Sequence, residues 1–373
     1  MHAIGRHSRA IGLYSKYTTS RHVRAGSEAE LIAQINRIGI ETGCRFLMTV
    51  SETDLMLMYR VQHQLNSVKA ILPDKQALTT VLDKERTLNL AQQLGINTPI
   101  SWAVKDWQQL HERQADIEFP LVLKWSNPHR VAARVSSHGQ TLDKYKYIYD
   151  WPSLEAYLAP FAELGEFPII QKYCRGYGLG QMIFMHGGEA RLKFQHRRTA
   201  EWPPEGGSSA VCRSLPSTDN PEQMEQSITL LKRLNWSGPA MVEYRFDPQV
   251  QQATLMEING RLWGSQPLAY HSGAHFVWLW FQAGSGMDLD TINEYRSGIE
   301  CRFMIPEVKR LMRILFQSGA IQDRDFKPRK LEELLKFLFA FVKPTTRYYV
   351  FLIRDPKPFF ADIWQIVLKL LRV

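Results

Sequence analysis

The chain has 373 residues and a net charge of +9, with 45% hydrophobic and 22% charged residues. That length and balance suit a soluble globular protein of two or three compact units, and exclude a disordered or low-complexity chain. The charge sits at one end: from Arg302 onward 15 Lys and Arg stand against 7 Asp and Glu, a net +8, so a generally basic nucleic-acid surface is not expected.

Cys44, Cys174, Cys212 and Cys301 are widely spaced and form no CxxC pair. Neither structural zinc nor a disulfide framework is expected, but reduced, partly buried thiols are. The amino terminus carries charge throughout and lacks the apolar stretch of a secretory signal. The longest apolar runs, near 337–342 and 363–371, fall short of the roughly 18 residues that a membrane-spanning helix needs. A cytoplasmic protein is expected.

In chain order, Ser27 offers a cap to a helix over Glu28–Arg37 and the strand RFLMTV follows at 45–50. Ser51 to Asp54 then supply capping groups for a helix through Met58 and His63. This alternation predicts a small, partly parallel α/β unit over 1–75, one that starts without an opening apolar strand. Leu78, Val81, Leu82, Leu88, Leu90 and Leu94 recur at helical spacing up to Gly95, predicting helix over 74–94. FPLVLKW (119–125) and FPIIQKYC (167–174) read as strands, and the second runs into the glycine cluster RGYGLGQ (175–181). MIFMH and EARLKFQHRR, joined by Gly187 and Gly188, read as a hairpin; EWPPEGGSSA (201–210) reads as irregular because of its prolines and glycines. A helix near 221–234 precedes two alternating segments, AMVEYRFD and ATLMEINGR. The basic end, 301–373, reads as a helical extension.

Period-two alternation puts Glu243, Arg245 and Asp247 on one strand face, and Glu257, Asn259 and Arg261 on one face of the next strand. Pairing Asp247 with Ala253 across the turn would set Glu243 opposite Glu257 and Met241 opposite Asn259. Carboxylates about 5 Å apart repel, and are tolerated when one is protonated or a cation lies between them. Two Glu and one Asn offer hard oxygen ligands suited to Mg²⁺. The same alternation also suits the solvated face of a half-exposed hairpin, and a one-residue slip would undo the pairing.

The order of these motifs resembles the ATP-grasp superfamily, specifically its carboxylate–amine ligase-like and carbamoyl-phosphate-synthase-like members, over roughly Asp74 to Ser265. MEINGRLWGS looks like the metal-binding strand and MVEYRFD like its partner. LDKERT with LGINTP looks like the helix leading into the nucleotide site. PLVLKW resembles the strand with the phosphate-binding lysine, and IIQKYCRGYGLG the hinge that holds adenine. The resemblance implies an α+β or α/β fold with two α+β subdomains clamping ATP over 76–300. A short Rossmann-like domain at 1–75, which reads as truncated, would precede it, and the basic helical extension at 301–373 would follow.

Carried over to this sequence, the resemblance implies that Glu243, Glu257 and Asn259 hold Mg²⁺ (or Mn²⁺) against the ATP phosphates. Arg261 would meet the transferring phosphoryl group, Lys124 and Lys84 would contact the nucleotide, and Gln171, Lys172, Tyr173 and Cys174 would border the adenine. HRR (196–198), followed by the Pro/Gly loop, looks like the segment whose basic residue faces the γ-phosphate, so Arg197 and Arg198 become catalytic candidates. Two departures stand out: the segment after Lys124 lacks the phosphate-covering glycines of many relatives, and no acid for the ribose hydroxyls follows the hinge.

The implied activity is ATP- and Mg-dependent ligation, in which a substrate carboxylate is phosphorylated to an acyl phosphate and joined to an amine. The expected partners are small carboxylate and amine substrates, with no nucleic acid; a homo-oligomer is compatible. His271 and His275 lie four apart but have no apparent third ligand, and read as pocket or core residues. Two other readings stand beside this one: a non-ligating ATP-binding sensor or scaffold, and a peripheral membrane module at the inner face of the membrane acting weakly through the basic tail.

Overall fold

Ser27 caps the first long helix in the way its spacing suggests. Its hydroxyl accepts from the Glu30 amide while the Glu30 carboxylate accepts from the Ser27 amide, satisfying two free amides at once. In this computed structural model, which describes residues 1–125, 128–137, 142–143, 145–165, 167–291 and 294–370, that helix is α1 (Glu28–Thr42). It packs with β1 (His2–Gly5), β2 (Ser20–Val23), β3 (Phe46–Leu47), α2 (Glu52–Val61) and β4 (Lys69–Ala70) around Leu31, Ile35, Leu57, Met58 and Val61. The strands form two parallel pairs, β1 with β2 and β3 with β4. β1 corrects the expectation of a unit without an opening strand: His2–Gly5 is too short and polar to read as one, yet it runs in register along Ser20–Val23.

The helical pattern of 74–94 is divided into α3 (Lys75–Leu82) and α4 (Lys84–Gln93). Asp83 is extended, and its carboxylate accepts from the Arg86 amide, so the residue that ends one helix caps the next. The break sets Lys84 at the start of a helix instead of mid-way along one.

A four-stranded antiparallel sheet follows. It contains β5 (Ser101–Trp102), β6 (Leu121–Lys124), β7 (Lys146–Ile148) and β8 (Ile169–Lys172) in the order β5-β8-β6-β7. With α5 (Trp107–Glu112) and α7 (Trp151–Ala162) it encloses a core of Leu110, Leu121, Leu123, Leu154, Leu158 and Ile170, while α6 (Pro128–Ser137) packs through Val131 and Val135 against Trp125 and Phe161.

The larger sheet has seven strands. They are β9 (Tyr177–His186), β10 (Glu189–Trp202), β11 (Ser208–Ser214), β12 (Gly238–Asp247), β13 (Gln252–Asn259), β14 (Glu300–Arg302) and β15 (Thr346–Tyr348), in the order β13-β12-β9-β10-β11-β14-β15. The glycine cluster of 175–181 therefore lies largely within β9. Only 203–207 of the stretch expected to be irregular is loop, because β10 runs on to Trp202 and β11 begins at Ser208. The main core lies on this sheet, with α8 (Pro221–Arg233), α9 (Gln266–Ser272) and α10 (Phe276–Ser285) packed around it.

Residues 301–373 are more than a helical extension. β14 pairs with β11 and β15 with β14, α11 (Met304–Phe316) lies on β10 and β11, and α12 (Lys330–Phe339) and α13 (Lys357–Leu370) complete the chain. ECR and TRY are too short and too charged to read as strands. Arg302 is nevertheless fully buried, bonded to both Glu307 oxygens at 2.7 and 2.9 Å and to the Phe337 carbonyl at 3.1 Å. Among the described residues no helix is long and apolar enough to cross a membrane.

Candidate active site

β12 and β13 supply the centre of the cleft between the two sheets. Glu243 lies opposite Glu257, and Met241 opposite Asn259, the pairing expected from the sequence. The route to it differs. At the turn Asp247 pairs with Gln252, not Ala253, and one extra residue, Met256, is bulged out between Leu255 and Glu257. Ala253 and Leu255 face the core; without the bulge Glu257 would follow them inward, whereas with it Ile258 is buried and Glu257 turns to the cleft.

Burial pushes the Glu243 carboxyl up, against the pull of Arg198. Glu257 is also disfavoured as an anion by burial, but Lys84 and Lys124 outweigh that and hold it below the usual carboxylate range. Lys84 Nζ stands 3.5 Å from Glu257 Oε2. Asn259, buried, donates from its amide nitrogen to Glu257 Oε1 at 3.2 Å, which leaves its carbonyl oxygen available as a ligand. Two carboxylates and an amide oxygen fit a hard divalent cation whose remaining positions go to water and phosphate oxygens. Among the described residues no group of three His, Cys, Asp or Glu side chains could hold a metal, so any cation here depends on the amide and on a substrate.

Arg198 neutralises this centre. Its guanidinium donates to Glu243, to Glu201 at 3.1 Å and to the Gly207 carbonyl at 3.3 Å. Arg245 donates to Glu201 and to the Gly176 carbonyl, each at 3.2 Å. Burial opposes ionisation of Glu201, but Arg245 and Arg198 together keep its carboxyl below the ordinary range. The result is an alternating row, Arg245–Glu201–Arg198–Glu243. Gly178 belongs to the same arrangement, since a Cβ there would come 2.6 Å from Arg198 Cδ.

Alternation on one strand separates the two candidate arginines. Arg198 faces the carboxylates, whereas Arg197 points from the other face of β10, its guanidinium 3.8 Å from the Tyr177 ring centroid. Arg197 therefore does not join the site. Arg261 is also held apart from the cavity: its Nε bonds Glu52 at the start of α2, 2.9 Å away.

The opposite wall comes from the smaller sheet. Lys124 Nζ donates to Gln171 Oε1 at 3.0 Å, and Gln171 in turn donates to Ser101 at 3.0 Å, so this hinge glutamine acts through its side chain and orients a lysine. Burial, followed by the nearby Lys84 charge, lowers Lys124 to about 8. Lys172 turns outward to Glu118. The Tyr173 hydroxyl donates to Asp323 at 2.8 Å, and the Cys174 thiol is pushed up by burial. These groups and Tyr145, Tyr147, Glu201 and Arg245 line a cavity of about 150 Å³, room for about five waters.

Residues 209–292 match the family model of the carbamoyl-phosphate synthase L chain, ATP binding domain, and so cover β12 and β13. The fold is similar to the biotin carboxylase of Campylobacter jejuni crystallised as a β-γ-ATP complex (TM-score 0.62, 13% identity, 80% of this chain and 68% of that one). The chain has the ATP-grasp fold. It is similar also to the biotin carboxylase domain of Hydrogenobacter thermophilus 2-oxoglutarate carboxylase, solved with MgADP, ADP and bicarbonate (TM-score 0.58, 14% identity, 76% and 64%). A third likeness is the L-amino acid ligase of Bacillus licheniformis (TM-score 0.51, 17% identity, 72% and 63%). The chain spans about two thirds of the length of each. Comparison with curated protein sequences gives no match.

Within this ATP-grasp fold the sequence reading missed Glu201, Tyr145 and Tyr147. Glu201 was assigned to an irregular loop because two prolines and two glycines follow it, although its place three residues after Arg198 was a usable signal. The segment after Lys124 forms α6 from Pro128, and residues 126–127 of that segment lie outside the described residues. His271 donates to the Tyr348 carbonyl at 3.1 Å, and both it and His275 lie against the Tyr270 ring.

Proposed function

We propose that the chain is an ATP-dependent carboxylate–amine ligase of the cytoplasm. The observation that carries the reading is the facing pair Glu243 and Glu257, with Asn259 beside it and Lys84, Lys124 and Arg198 around it in one cleft. Mg²⁺ (Mn²⁺ as a substitute) held by Glu243, Glu257 and Asn259 would neutralise the phosphates. Lys84 and Lys124 contribute positive charge from the side of the smaller sheet, and Gln171 fixes the direction of Lys124. Tyr173 and Cys174 border the adenine at the hinge.

In this reading a substrate carboxylate oxygen bonds to the γ-phosphorus as the bond to ADP breaks. An amine nitrogen then bonds to the acyl carbon and phosphate departs, giving an amide. The chain's own part is placement and charge compensation, the usual means in phosphoryl transfer. Arg198, freed from Glu243, faces the phosphoryl group. Arg261 would act on the acceptor side only by leaving its bond to Glu52.

The test is phosphate release from Mg–ATP across panels of small carboxylates and amines, repeated with Glu257→Gln. A pair that stimulates release only in the unaltered chain supports ligation. No stimulation by any pair, together with a melting temperature that Mg–ATP leaves unchanged, would sink both ligation and nucleotide binding.

A further inference from the structure

The helix α12 is held to the body by one face only. Glu333 bonds Arg310, and Phe337 lies under the Arg302 guanidinium 4.7 Å from its ring centroid, while Ala340 is buried just beyond the helix end. The other face carries Leu331, Leu335 and Leu338, at spacings of four and three, and these are 69%, 42% and 51% exposed, with Val342, 77% exposed, past the helix end. Phe339 and Phe341 add further exposed rings. α11, packed beside α12, repeats the pattern with Val308, Met312 and Phe316, each exposed and four apart. Isolated exposed apolar residues need no explanation, but two neighbouring helices with outward stripes of helical period mark a face that meets something.

Charge decides between partners. Exposed Lys327, Arg329 and Lys330 lie at the start of the α12 stripe, while Lys336 and Lys343 beside it are paired with Glu332 and Glu300, and Glu333 is committed to Arg310. The whole segment from Arg302 carries a net +8. A second copy seated on this face would bring the same positive charge against it. An anionic bilayer offers the complement, acyl chains for the leucine and phenylalanine stripe and acidic headgroups for the flanking bases.

We propose that the α11–α12 face docks on the surface of an anionic membrane, holding the chain there as a peripheral protein without crossing it. The inference is independent of the ligase reading, since none of these residues lines the cleft.

The experiment is flotation of the full chain with phosphatidylcholine vesicles and with vesicles roughly one-third phosphatidylglycerol, at low and high salt. Binding to the anionic vesicles alone is expected, weakened by salt. Leu335→Glu combined with Phe339→Glu should cut it at least about tenfold while cooperative unfolding is retained. Absence of binding to anionic vesicles, or equal binding by the double variant, would overturn the proposal. Light scattering guards against the rival partner: a dimer that the double variant converts to monomer assigns the face to a second copy and also overturns it.

Discussion

Arg198 and Glu243 form an ion pair across β10 and β12, spanning the intervening β9, where Gly178 leaves room for it. Both side chains are largely buried, and Glu201 holds the far side of the same guanidinium. Removing one member of such a pair strands the other charges, which costs more than the pair itself contributes. Arg198→Met should therefore destabilise the chain by about 3–5 kcal/mol, read from urea midpoints. Divalent cations at millimolar concentration should restore part of that loss by occupying the ground beside Glu243. A variant as stable as the unaltered chain would show the row of charges to be incidental.

The bulge at Met256 makes a separate prediction. Met256 is the extra residue, so deleting it leaves Leu255 facing the core and Glu257 the cleft by simple alternation. The deletion should keep the rise in melting temperature given by Mg–ATP, whereas Glu257→Gln should lose it. Differential scanning calorimetry with and without nucleotide distinguishes the two.

Lys124 titrates near pH 8 in the folded chain, against an ordinary lysine value near 10.4. Below about 8 its ammonium attracts phosphate; as pH rises through 8 that charge is lost from the empty cleft. Affinity for Mg–ATP should fall between pH 7 and 9, by up to about tenfold per unit above 8. Lys124→Gln should bind more weakly at pH 7 and show little further change, measured by calorimetric titration at the two pH values.

His196 is fully buried, and burial, with the Arg198 charge adding to it, lowers its value to about 3. Between about 3 and the ordinary 6.5 the unfolded chain holds the extra proton, so stability falls as pH drops below 6.5. The loss should reach roughly 3 kcal/mol by pH 4. His196→Asn should flatten that part of the profile in urea titrations at pH 7 and 4, whatever its effect at neutral pH.

The resemblance rested on motif order, and that order survives in space: Lys84, Lys124, Gln171, Glu243 and Glu257 all reach one cavity or its wall. What local pattern could not carry was phase. Adjacent arginines at 197 and 198 look equivalent in the sequence, and only the sheet register gives the cleft to Arg198. The bulge at Met256 was hidden for the same reason, because one inserted residue preserves the composition of a strand while reversing its faces. The short strands β1, β14 and β15 owe their existence to neighbours and not to their own residues, so propensity had nothing to report. Arg302 illustrates this most sharply: a charged residue reads as surface, and its burial depends on Glu307 and the Phe337 carbonyl arriving from later in the chain.

The hinge is tied to a later part of the chain, through Tyr173 to Asp323 and Arg175 to Asp325, 3.1 Å apart, and β11 finds its second neighbour only in β14. During synthesis β14 emerges after all of α8, β12, β13, α9 and α10. Until then β11 is an open edge with hydrogen-bonding groups unmet, and the hinge lacks part of its support until Asp323 follows. A ribosome-bound chain stopped before Glu300 should thus expose a template for pairing with its neighbours on a polysome, a hazard that β14 removes.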